Sequence, residues 1–109
     1  MSIDAIGFLR HDVSGARQPA DENRIRALAQ RLGYHLPAIV TFTSGADDLG
    51  VRLRDIAEAH RADAVVVPSV AHFDDAVVPR TLLRIAEVIT VEPECTYARI
   101  CWPWREHLR

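Results

Sequence analysis

A chain of 109 residues, 49% apolar and 26% charged, has the make-up of one globular domain with a single modest core. Its formal net charge of −2 offers no general attraction for nucleic acid, and its 13 basic residues are all Arg. No apolar run approaches the ~20 residues that span a bilayer, and no basic-then-apolar leader is evident, so a cytoplasmic protein without membrane contact is expected.

Ile3 to Arg10 (IDAIGFLR) is largely apolar at both alternating sets of positions, the pattern of a strand covered on both faces in a parallel sheet. Ser14-Gly15 begins a polar loop that runs through Gln18-Pro19. From Asp21 to Leu32 the period becomes helical, with Ile25, Leu28, Ala29 and Leu32 on one core-facing stripe. Asp21 and Glu22 suit the start of that helix and Arg31 its end, and Gly33 is placed to terminate it. Pro37 to Thr43 (PAIVTFT) reads as the second strand. After a turn at Ser44-Gly45-Ala46, Asp47 or Asp48 can cap a second helix reaching His60, with Leu49, Leu53, Ile56 and Ala57 on its buried side.

Ala64 to Val67 is the clearest buried strand, and Pro68, having no N–H to donate, ends its ladder. A polar loop from Ser69 to Asp75 holds His72, Asp74 and Asp75. Pro79 suits the first turn of a short helix reaching Ala86. Val88 to Val91 forms a fourth strand, stopped by Glu92-Pro93. Residues 94–109 are an extension in which Thr96, Tyr97, Ile100 and Trp102 suit either an edge strand or a short helix. This order predicts one three-layer α/β domain over residues 1–109. Its mostly parallel sheet has four strands, or five if the extension adds one, with helices on both faces.

In such a sheet the functional residues gather at the carboxyl ends of the strands, beside the point where strand order reverses. The candidates there are Arg10, His11, Asp12 and Ser14 after the first strand, Thr43 and Ser44 after the second, Ser69 and His72 after the third, and Glu92 after the fourth. A Ser–His–Asp hydrolase built from Ser14 or Ser69 with His72 and Asp12 is the sharpest chemistry these types permit, although no G-x-S-x-G elbow is present. Asp12, Ser14, Ser69 and Asp74 equally suit helix caps and turns. Arg10, Arg17, Ser44 and Ser69 are candidate contacts to an anion or other ligand. A first loop with one Gly cannot form a dinucleotide or Walker cradle, and adjacent His-Asp pairs lack a third fixed metal ligand, so neither cofactor nor metal is implied. Cys95 and Cys101 match no zinc spacing and read as reduced, partly buried thiols.

A family resemblance rests on these same segments. AIGFLR resembles the opening strand of the serine recombinase (resolvase/invertase) catalytic domain, which ends aromatic-x-Arg-Val-Ser. DENRIRALAQRLGY is similar to that family's first helix, and TSG with ADAVVVPSVAHFDD is similar to the segment leading through its third strand into an L-D-R-L-G-R loop. The likeness spans roughly residues 3–91 as an order of elements. Phe8 and Arg10 match the aromatic and the Arg, while His11 and Asp12 stand at the Val and the nucleophilic Ser. Val13-Ser14 restores a Val-Ser pair two residues late. In the later loop Val70 and Phe73 match the two Leu, Ala71 replaces the Asp, His72 the first Arg, Asp74 the Gly and Asp75 the second Arg.

The resemblance implies a resolvase-like fold but places acidic groups where guanidinium groups would neutralise a phosphoryl group. The family's long dimerisation helix and helix-turn-helix domain have no counterpart before Arg109. The expectation is therefore a non-catalytic, resolvase-like module that binds a protein partner or a second copy of itself, with Tyr97, Trp102 and Trp104 as contact residues. The alternative is a recombinase-like DNA-processing protein with Ser14 as nucleophile, Arg10 and Arg17 on the phosphate, and Asp12 and His72 beside them, or the hydrolase above. Nucleic-acid binding without cleavage is a third option, disfavoured by charge.

Overall fold

The computed structural model describes residues 3–43 and 48–100. The first strand, β1 (Ile3–Arg10), is buried continuously from Ala5 to Leu9 and is an interior strand of the sheet. Its alternation sorts the core into two layers. Ile6 and Phe8 face a larger cluster, where Val65, Val67 and Val88 meet Leu49, Leu53 and Ala57 of α3 (Leu49–Ala59) and Leu82 of α4 (Arg80–Leu83). Ala5 and Leu9 face a smaller one, where Ala64, Val66 and Ile89 meet Ile25 and Leu28 of α2 (Gln18–Arg31). The protein is thus a three-layer α/β domain, with α2 on one face and α3 and α4 on the other.

Gly7 sits at the middle of β1 because nothing larger fits. A Cβ there would lie 2.8 Å from Ile25 and 2.9 Å from Ile39. Its hydrogen lets α2 press directly on β1.

With β2 (Tyr34–His35), β3 (Ile39–Phe42), β4 (Ala64–Val67), β5 (Glu87–Thr90) and β6 (Cys95–Tyr97), the sheet runs in the order β2/β3–β1–β4–β5–β6. Beside β1 lies a broken edge: β2 pairs with Ile3 and Asp4, and β3 pairs with Gly7 to Arg10, all parallel. The predicted second strand is therefore shorter than Pro37–Thr43 and preceded by a separate short pairing, with Pro37 in the gap. On the other side β4 and β5 continue in parallel, within a residue of expectation. The extension supplies the edge strand, β6, antiparallel to β5. No helix among the described residues is long and apolar enough to cross a membrane.

Several local expectations need correction. The segment after β1 is no loop: α1 (His11–Ser14) and a 3-10 turn (Gly15–Arg17) lead straight into α2, which starts three residues earlier than Asp21, with Pro19 in its first turn. Leu32 is not on the buried stripe, because α2 ends at Arg31 and leaves it 41% exposed. Gly33, at φ +83°, follows it as the expected terminator. Asp48 does not cap α3 with its side chain; its backbone is left-handed at φ +61° and the carboxylate makes no capping bond. Between Ser69 and Val77 the chain forms two 3-10 turns, Val70–His72 and Asp74–Ala76, and α4 stops at Leu83 rather than Ala86. Cys95 is exposed rather than partly buried, as its place on an edge strand dictates; Cys101 lies outside the described residues.

Candidate functional site

The chain leaves β1 for β2/β3 on one side and later returns to place β4 on the other. The crevice outside the carboxyl ends of β1 and β4 is therefore the topological switch point, the default ligand position of an open α/β sheet.

The segment after β4 is pinned there from two sides. Phe73 is buried and stacks on Phe8, ring centroids 5.5 Å apart. Its neighbour His72 is 1% exposed, and its Nδ1 accepts the backbone N–H of Arg10 at 2.9 Å. That bond joins the end of β1 to the turn after β4 across 62 residues of sequence. It also decides the ring's tautomer: an Nδ1 that accepts carries no proton, so the neutral ring carries it on Nε2. Burial lowers the His72 pKa; the Asp21 carboxylate opposes that shift, and the Arg10 guanidinium adds to it. The ring is thus held neutral with Nε2–H as a donor.

The Arg10 side chain is turned inward on its own neighbours. Its Nε and one terminal nitrogen bond the two oxygens of Asp12 at 3.1 and 2.7 Å, a bidentate fork, and the other terminal nitrogen lies 3.5 Å from Asp74. The fork raises the Arg10 pKa and lowers that of Asp12. Ser14 is 4% exposed and donates its hydroxyl to Oδ2 of Asp21 at 2.6 Å. Asp21 is 3% exposed, and its other oxygen lies 3.5 Å from Arg24. His11, on the surface, pairs with Gln18. Ser69 accepts the Ala71 N–H through its Oγ, the turn-holding role its type suits.

Beside this network lies a crevice of about 250 Å³. Arg17, Asp21 and Arg24 form one wall, Pro68, Ser69 and His72 the floor at the end of β4, and Val91 and Glu92 the wall after β5. Of the sequence candidates, the structure gathers Arg17, Ser69, His72 and Glu92 here. It sets Arg10, Asp12 and Asp74 in an ion-pair cluster next to it and keeps Ser14 behind Asp21. Tyr97 is half-buried and packs against the larger core cluster. Ser44, Trp102 and Trp104 lie outside the described residues. Among the described residues no group of three or more His, Cys, Asp or Glu side chains is placed to hold a metal ion.

Asp21 and Arg24 were not among the site candidates. Asp21 did carry a signal, because it continues the stripe of Ile25, Leu28 and Ala29 at helical spacing. An acid in register with a buried stripe is a buried acid.

The arrangement fits hydrogen-bond donation better than nucleophilic catalysis. A Ser–His–Asp relay needs Nδ1–H held by a carboxylate and a free Nε2 lone pair facing the hydroxyl. Here Nδ1 is an acceptor of a peptide N–H and the tautomer is reversed. No family model matches the chain, and no curated protein matches it.

Proposed function

We propose that this is a non-catalytic, resolvase-like α/β module that works by binding a protein partner, a second copy of the chain included. The observation that carries this reading is the Arg10–Asp12 fork. In a recombinase-type strand the guanidinium at this position is there to neutralise a phosphoryl group. Here its nitrogens are engaged by two carboxylates of the same fold, which would have to be displaced by an incoming phosphate that they also repel. The buried Ser14–Asp21 bond supports the reading, since the hydroxyl that the recombinase resemblance would make the nucleophile is packed against a carboxylate. The β6 edge supports a protein partner: among the described residues it pairs only with β5, and Cys95 and Thr96 are exposed on it.

Incubation with supercoiled plasmid DNA tests the first half of this. No nicked or linear product and no covalent protein–DNA adduct are expected; an adduct that Ser14→Ala abolishes would overturn the reading. Sedimentation velocity and affinity capture test the second half. A monomer that captures no protein by way of β6 would refute it.

A further inference from the structure

The crevice holds groups that the fold leaves unused. His72 is almost wholly buried, yet with Nδ1 taken by the Arg10 amide its Nε2–H has no acceptor among the described residues, and the ring forms part of the crevice lining. No buried side-chain nitrogen or oxygen among the described residues is left without a partner, so this Nε2–H is open to the crevice, where a ligand carboxylate can replace water as its acceptor. Arg17 and Glu92 line the same space, are exposed, and make no ion pair or side-chain hydrogen bond with described residues. Asp21, by contrast, is already satisfied by Ser14 and Arg24.

The unused groups therefore ask for two things at once. His72 Nε2–H and the Arg17 guanidinium call for a carboxylate, while Glu92 calls for a cation. Two guanidinium and two carboxylate groups line the crevice, so its lining is charge-balanced with His72 neutral. A ligand with no net charge leaves that balance intact; a dianion would meet Glu92 and Asp21. The volume of about 250 Å³ falls below the ~300–1,000 Å³ of sites for drug-sized ligands, and Pro68 and Val91 offer a short apolar wall.

We propose that the switch-point crevice binds a small zwitterionic amino acid with a short aliphatic side chain. Its carboxylate sits on His72 and Arg17, and its ammonium on Glu92. This site is independent of the protein-binding reading above: a DNA adduct would sink that reading and leave this one standing.

The test is a titration of the ¹⁵N-labelled protein with L-valine, acetate and inorganic phosphate, followed by amide and imidazole chemical shifts. L-Valine is expected to give saturable changes centred on Arg17, Ser69, His72 and Glu92. Acetate, lacking the ammonium, should bind at least about tenfold more weakly, and phosphate more weakly still. Arg17→Gln and Glu92→Gln alter exposed side chains and should each weaken L-valine by about tenfold while leaving the melting temperature unchanged. No saturable change at tens of millimolar L-valine would overturn the proposal. So would acetate or phosphate binding as tightly as L-valine, or affinity unaltered in both variants.

Discussion

Ser14→Ala separates a structural serine from a catalytic one by the sign of what it damages. The hydroxyl donates to a carboxylate oxygen at 2.6 Å, and both residues are at least nine-tenths buried. Removing it leaves a buried, charged acceptor without its donor, while the remaining partner, Arg24, is half-exposed and 3.5 Å away. A hydrogen bond to a charged group contributes about 1.5–3 kcal/mol, so the variant should lose that much. For a domain of this size that corresponds to a melting temperature about 6–20 °C lower. Urea unfolding followed by far-UV circular dichroism measures it directly, with the loss appearing in the midpoint and not in the slope. The charge can be isolated with Asp21→Asn, which keeps an acceptor for Ser14 and removes the ion. In that background Ser14→Ala should cost only about 0.5–1.5 kcal/mol, the value for a neutral pair. A Ser14→Ala protein within about 0.5 kcal/mol of the parent, or an equal cost in both backgrounds, would refute the buried charge-assisted bond.

Two other perturbations follow from the same geometry. Gly7→Ala drives a methyl to within 2.8 Å of Ile25 and 2.9 Å of Ile39, so α2 must lift from β1. Overpacking of this kind costs about 1–3 kcal/mol, and an unchanged unfolding midpoint would show that the contact yields freely. His72 makes stability depend on pH. Because its pKa is lowered on folding, the unfolded chain binds the proton more readily, so stability must fall as pH drops below the unfolded value of about 6.5. The slope from this one group reaches at most about 1.4 kcal/mol per pH unit and ends at the folded-state pKa. Unfolding midpoints measured through the mildly acidic range should therefore converge between the parent and His72→Phe as pH falls; parallel curves would show that the ring titrates as freely in the fold as out of it.

The architecture was legible wherever burial writes a period into the chain. IDAIGFLR is largely apolar and AVVV wholly apolar on both faces because both faces are covered, and both strands lie where that pattern puts them. The stripe through Ile25, Leu28 and Ala29 likewise reports the face of α2 that packs on Gly7. The helical segment from His11 to Arg17 was illegible, since one short turn and a 3-10 turn bury only Ser14 and leave no period to read. The break between β2 and β3 escaped for a different reason: an edge strand two residues long carries no alternation. At the site, residue types and strand ends located Arg17, Ser69, His72 and Glu92, but composition cannot say which nitrogen of a histidine accepts. That depends on a peptide N–H from a strand 62 positions away.

That single bond has consequences in both directions along the chain. Toward β1, it satisfies the N–H of Arg10 at the point where the ladder ends. This lets the strand run directly into α1 and brings Asp12 back onto the guanidinium of Arg10. Toward the later turn, it removes Nδ1 from any carboxylate and turns the protonated Nε2 to the crevice. Asp12 is held by the Arg10 guanidinium rather than by an imidazole nitrogen, and that guanidinium is held in turn by Asp12 and Asp74. One register contact between the end of β1 and the turn after β4 converts a strand-end constellation suited to nucleophilic chemistry into an ion-paired rim around a neutral donor. A catalytic histidine base at this strand end would therefore need more than a nearby hydroxyl: the His72 ring would have to be released from the Arg10 amide.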